Sequence, residues 1–249
     1  MIIATESGPI HCLEARAENA GGTIVLLHGI QGSASAWSDV MPYLTARYHV
    51  IAPNLRGRGR SFTPIRPEDY SLGCFAGDLE AVLAEIKGPI LIVGWSMGCL
   101  TILQYLKHQG TANVAGLVLM SGSACLRASN PPAHWFQGDS PTELIADAAR
   151  RAQRLGLTDT ATDTAVAGAW IGVRDVDLRE TLPRIGIPTL ILHGEDDPDC
   201  PPHHAQEMAA AIAGASLEIW PSCGHVPMAD HPGRVHARLL SFAQTVFET

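Results

Sequence analysis

Short apolar runs alternate along the chain with longer stretches in which apolar residues recur at helical spacing. The short runs cover residues 9–16, 23–28, 49–53, 89–94, 114–121, 189–194 and 216–221. They are rich in Ile, Leu and Val and are bounded by Gly, Pro or Asn, so they predict strands. Several are apolar throughout instead of alternating, as in parallel strands covered on both faces. Residues 36–46, 71–87, 97–109, 203–213 and 232–247 predict helices. In the second of these, Leu79, Val82, Leu83 and Ile86 fall on one helical face. The alternation predicts an α/β fold with a mostly parallel central sheet and helices on both of its faces.

The rhythm breaks once. From residue 123 to 182 there is no strand signal, only Ala- and Arg-containing helical pattern punctuated by Asn130-Pro131-Pro132 and Ser140-Pro141. The sheet pattern resumes at Ile187-Pro188-Thr189. Residues 1–122 and 183–249 are therefore expected to form one core, with 123–182 inserted as a helical cap over the end of the sheet. No internal repeat is visible.

Composition narrows the function classes. The 249 residues are 46% hydrophobic and only 17% charged, which suits a chain with a large core and excludes a disordered one. A net charge of −8 disfavours phosphate backbones and anionic lipid surfaces as partners. The opening stretch lacks a basic start followed by an apolar segment, so no signal peptide is expected. Six cysteines are scattered without CxxC spacing, as for free thiols in a reducing compartment, and a cytoplasmic location is expected.

The chemistry begins at Gly94-Trp95-Ser96-Met97-Gly98, between a strand and a helix. A serine in a sharp strand-to-helix turn is forced to the top of the sheet, and small residues on either side avoid backbone collision. A hydroxyl also needs a base and an acid that orients that base. Glu195-Asp196-Asp197 follows the strand 189–194 and offers the acid, while His225 lies in the loop beyond the strand 216–221. The chain order Ser, acid, His matches one of the known triad orders. Leu26-Leu27-His28-Gly29-Ile30 ends another strand, and a tetrahedral intermediate needs two preorganised donors. The backbone N–H groups of Ile30 and Met97 are the expected oxyanion pair, with His28 expected to support that loop. Trp95, Trp135 and Phe136 are expected to line the substrate pocket.

Five segments together resemble the α/β-hydrolase superfamily, of the small, capped, carboxylesterase-like kind. They are LLHGIQGSASAW, APNLRGRGRS, VGWSMG, LILHGEDDPDCPP and CGHVPMADHP, in the family's usual order. The resemblance implies Ser96 as nucleophile, His225 as base and Asp197 as the acid, since the family's acid is the third residue after the strand's Gly. It also implies hydrolysis of a carboxylic ester without metal or organic cofactor. Asn54 and Arg58 depart from the family's usual residues in a turn expected to be structural. The same triad serves lactone opening, carbon–carbon bond hydrolysis and acyl transfer, and the fold also serves receptors.

One charge feature stands apart. Arg150, Arg151 and Arg154 cluster in the cap, either as a solvated helix face or as a dock for an acyl carrier protein. VDLRETLPRIGIPTLILHGEDD together with GWSMG is also somewhat similar to the methyl-ester esterases of biotin synthesis. His203, His204, His231 and His236 show no metal-ligand spacing and are expected to be surface or cap histidines. Gly57 and Gly59 do not make a dinucleotide fingerprint.

Overall fold

The structure is a computed structural model that describes residues 1–127, 135–138, 140–157 and 159–248. The strands are β1 (Ile2–Ile3), β2 (Ile10–Arg16), β3 (Thr23–Leu27), β4 (His49–Pro53), β5 (Ile90–Trp95), β6 (Val114–Met120), β7 (Thr189–Gly194) and β8 (Ser216–Trp220). They form one sheet in the order β1-β2-β4-β3-β5-β6-β7-β8. From β4 to β8 neighbouring strands are parallel, whereas β1 and β2 run antiparallel at one edge. Every residue of β3, β5 and β7 is buried, which explains why these strands read as unbroken apolar runs.

Alternate residues of each central strand serve two apolar layers. Val25, Ile92, Leu117 and Ile191 pack with α2 (Leu72–Ala84) and α3 (Met97–Gln109) through Leu79 and Leu103. Leu26, Val93, Val118 and Leu192 face the other way, onto Trp37, Leu44 and Leu239. Leu44 belongs to α1 (Met41–Leu44) and Leu239 to the C-terminal helix Pro232–Phe247.

One expectation is corrected and one short strand was not foreseen. Residues 36–46 do not form one helix but a 3-10 turn, Ala34–Trp37, followed by the separate α1. Pro42 is the cause: proline is tolerated only in a helix's first turn, so a helix holding it must begin beside it. The edge strand β1 carried no pattern of its own, because two residues are too few to show a period.

Between β6 and β7 lie α4 (Pro141–Arg154) and α5 (Asp163–Val173). Ser140 opens α4 with a reciprocal capping box to Glu143, and Pro141 sits at its first turn. The insertion is pinched at its neck, where Leu126 N–H donates to Val176 O at 3.0 Å and Leu178 N–H to Ala124 O at 2.8 Å. Leu144, Val166 and Trp170 of the insertion join the same apolar cluster as Leu100 of α3, not a core of their own. Asn130-Pro131-Pro132 lies outside the described residues. After β7 the chain continues through α6 (His203–Ala211), β8, α7 (Pro227–Asp230) and α8 (Pro232–Phe247). Among the described residues no helix is long and apolar enough to cross a membrane.

Candidate active site

Ser96 is the single residue between β5 and α3, held at φ 55° and ψ −117°. A non-glycine residue there stores on the order of 1–3 kcal/mol of strain, which tight packing must hold in place. The two flanking glycines allow it. A Cβ on Gly98 would lie 2.8 Å from Leu27 O, and one on Gly94 would lie 2.7 Å from the Gly98 carbonyl carbon.

The elbow points Ser96 Oγ at His225, 3.0 Å from Nε2. The other ring nitrogen, Nδ1, lies 2.9 Å and 3.0 Å from the two oxygens of Asp197. Since a carboxylate only accepts, Nδ1 carries the proton and Nε2 is left to accept from the serine hydroxyl. Trp95 Nε1–H donates to His225 O at 2.7 Å and anchors the histidine loop from behind.

Asp197 is buried in the turn after β7, while Asp196 beside it is exposed. Its Oδ1 accepts from the N–H groups of Asp199 and Cys200, both at 2.9 Å. Burial by itself would raise this carboxyl, but the His225 charge and hydrogen bonds from His193, His225 and Cys200 outweigh it. They hold Asp197 far below the usual carboxylate range, so it is ionised at neutral pH.

On the opposite side, Ile30 follows the Gly-rich end of β3. His28 Nδ1–H donates to Gly29 O at 2.8 Å, and His28 Nε2 accepts from Leu55 N–H at 3.1 Å. Complete burial, with the Arg58 charge adding to it, pulls His28 down to about 3. It is a neutral strut for the loop and not a base. Arg58 holds the same loop from below, its Nη2 donating to Ile30 O at 2.6 Å. The amides of Ile30 and Met97 have no acceptor among the described residues.

The cavity between these groups is walled by Ile30, Met97, Leu100, Trp135, Phe136 and Trp170, among others. It holds about 490 Å³ of unoccupied space out to its mouth. Trp135 and Phe136 thus stand where the pocket was expected. Trp95 does not: it is 2% exposed and belongs to the apolar layer on the sheet's other face. Trp170 was not foreseen; it packs edge-on to Trp135 with ring centres 5.7 Å apart.

The arginine cluster is also corrected. Arg150 is exposed and pairs with Asp147 on its own helix. Arg151 and Arg154 instead turn inward onto the buried Asp199, with contacts of 3.3 Å and 2.7 Å. Arg151 is therefore buried and no part of a solvated face, whereas Arg150 and Arg154 remain exposed. A signal existed, because Arg151 continues the buried stripe of α4 begun by Leu144 and Ala148. His204, in the first turn of α6, is half-buried with Nδ1 3.0 Å from Ser123 Oγ, and burial lowers it to about 4.

Asp197, Asp199 and His225 bring ligand atoms within 4.8 Å of one another. Asp199 already meets two guanidinium groups, so a metal cation placed there would face their positive charge at close range.

Comparison with known proteins bears on this arrangement. A family model described as the alpha/beta hydrolase family matches residues 24–238. A pimeloyl-[acyl-carrier protein] methyl ester esterase of Aromatoleum aromaticum is 30% identical, over 84% of this chain and 93% of its own length. The structure of an esterase from Exiguobacterium antarcticum superimposes with a TM-score of 0.82 at 25% identity, covering 98% of this chain and 99% of that one. A bromoperoxidase from Bacillus anthracis shares the fold at TM-score 0.80 and 20% identity, covering 98% and 99%. The matched region contains the serine elbow, the Ile30 loop, Asp197 and His225, and the chain belongs to the α/β-hydrolase family.

Proposed function

We propose that this protein is a serine esterase that cleaves a small carboxylic ester through an acyl-enzyme intermediate. Ser96 is the nucleophile, His225 the general base and then acid, and Asp197 the group that orients His225 and stabilises its charged form. Ser96 Oγ attacks the ester carbonyl as its proton passes to His225 Nε2, and the N–H groups of Ile30 and Met97 receive the oxyanion. His225 returns that proton to the leaving alcohol. A water activated by the same histidine then releases the acid.

The observation that carries the reading is the continuous relay of hydrogen bonds, 3.0 Å from Ser96 to His225 and 2.9 Å from His225 to Asp197. The backbone strain at Ser96 supports it, since such strain persists mainly where a side chain must be presented. Residues 123–182 act as the cap, with Trp135, Phe136 and Trp170 closing the apolar side of the cavity over Ser96. The esterase named above acts on an ester attached to a carrier protein. In this chain Arg151 is buried and out of a carrier's reach while Arg150 and Arg154 are exposed, so an ester on a carrier protein stands as the second reading beside the small ester.

Ser96→Ala tests the proposal. The variant is expected to keep the fold by circular dichroism and to lose hydrolysis of p-nitrophenyl acetate. Retained turnover in the folded variant would overturn the assignment.

A further inference from the structure

One residue of β7 breaks the strand's pattern. Leu190, Ile191 and Leu192 are apolar and every residue of the strand is buried, yet the next side chain is His193, wholly shielded from solvent. Its Nε2 lies 2.5 Å from Cys200 O. A carbonyl only accepts, so Nε2 carries the ring proton and Nδ1 is left as an acceptor. Nδ1 is sealed in the interior with no hydrogen-bond partner among the described residues. An unmet polar atom there is a cost that a leucine at this position would avoid. Local rules broken in this way point to a functional demand.

The demand comes from the acid. His193 Nε2 lies 3.3 Å from Asp197 Oδ2. Without it the two carboxylate oxygens would be unequally supplied. Oδ1 accepts from the N–H groups of Asp199 and Cys200, both at 2.9 Å, whereas Oδ2 would meet only His225 Nδ1, at 2.9 Å. Among the described residues, His193 and His225 are the only side chains within reach of that carboxylate. His193 also holds Cys200, whose own N–H grips Oδ1. A carboxyl group turns easily about its last bond, and a donor at each oxygen stops it. His193 supplies both restraints, at Oδ2 directly and at Oδ1 through Cys200.

We propose that His193 is a positioning residue for the reaction, locking the Asp197 carboxylate in the orientation that holds His225. His193 lies outside the cavity wall and touches neither Ser96 nor the substrate, so it acts through Asp197 alone. The inference rests on the reading of Asp197 as the orienting acid.

His193→Leu and His193→Gln test it, with the first made also on Asp197→Asn. The readout is the rate at which excess diethyl p-nitrophenyl phosphate labels Ser96, followed by intact mass, because the adduct accumulates and slow variants stay measurable. His193→Leu should be slower by roughly ten- to a hundredfold, the worth of a hydrogen bond to a charged group. With p-nitrophenyl acetate its kcat should fall by a similar factor while KM stays within about twofold. His193→Gln places an amide N–H near the site of Nε2–H and should recover the labelling rate to within about threefold of wild type. On Asp197→Asn, His193→Leu should change the rate by less than about twofold, since the carboxylate it acts through is gone.

An equal loss in both backgrounds would make His193 a packing residue and overturn the inference, as would a wild-type rate in folded His193→Leu. Nitrogen-15 NMR of the histidine-labelled wild type needs no variant to fold. His193 should carry its proton on Nε2, and a proton on Nδ1 alone would also overturn the inference. If Asp197→Asn is slow and any of these results goes against His193, only this inference falls. If Asp197→Asn labels at the wild-type rate, the reading of Asp197 falls and takes the inference with it.

Discussion

Asp199→Asn replaces the carboxylate that fastens the inserted helix α4 to the loop after β7. In the native protein Asp199 is 3% exposed and accepts from Arg151 Nε at 3.3 Å and from Arg154 Nη1 and Nη2 at 3.0 and 2.7 Å. Burial pushes its carboxyl up, but the two arginines prevail and hold it below the usual carboxylate range. The amide keeps the shape and removes the charge, so Arg151 is left as a buried cation without its counter-ion. Breaking a buried pair on one side costs about 3–5 kcal/mol. The Arg154 side chain is 35% exposed and its share is screened, whereas Arg151 at 9% is not. The lower end, about 3 kcal/mol, is therefore expected. For a chain of this length that lowers Tm by roughly 6–12 °C, read by scanning calorimetry at pH 7. Adding Arg151→Met to the same variant should restore at least half of the loss, because an ion pair replaced on both sides by neutral groups is often tolerated. A Tm within 2 °C of wild type for Asp199→Asn would refute the assignment of this pair as the fastening of α4.

Asp197→Asn should lower kcat by about 10⁴-fold, the size of effect known for an orienting acid turned to an amide, with KM little changed. Steady-state assay of a folded variant checks it, and a loss below tenfold would contradict the role given to Asp197. Gly98→Ala forces a Cβ to 2.8 Å from Leu27 O, so the elbow must shift. At least a tenfold loss of kcat is expected, together with about 1–3 kcal/mol of stability by urea unfolding. His28 sits near 3 in the folded chain against 6.5 for an unperturbed histidine, so the unfolded chain takes up a proton that the folded one refuses. Its contribution to stability is whole above pH 6.5 and is lost as pH falls toward 3, at up to about 1.4 kcal/mol per pH unit. His204, lowered to about 4, acts in the same direction. Urea midpoints should therefore fall steadily between pH 6.5 and 4.5, and a flat profile would contradict the buried neutral state of His28.

The parts of this molecule governed by local rules were readable in the chain. Buried strands such as β3 and β7 showed as apolar runs because both of their faces are covered. The Ser96 elbow showed because a positive φ between two close backbone approaches demands glycine at Gly94 and Gly98. What escaped was set by distant partners or by side-chain direction. Asp199 lies 48 residues from Arg151, and a helical reading that stops at charge places such an arginine in water. The buried stripe through Leu144 and Ala148 contained the correction, but charge weighed more than position. Trp95 was assigned to the pocket by its nearness to Ser96 in sequence, although alternation along β5 sends it with Val93 to the face away from the cavity. Arg58 was read as a turn residue with little bearing on the site, yet its Nη2 reaches across 28 residues to Ile30 O and holds the peptide of the loop after β3.

The central claim is that Ser96, activated by His225, forms a covalent bond with the substrate's acyl carbon. Intact-protein mass spectrometry after treatment with diethyl p-nitrophenyl phosphate tests it directly. One diethylphosphoryl group should be gained per chain, with one equivalent of p-nitrophenolate released, and the adduct should map to Ser96 and be lost in His225→Gln. Ester hydrolysis by a chain that gains no adduct, or that carries it on another residue, would contradict the account.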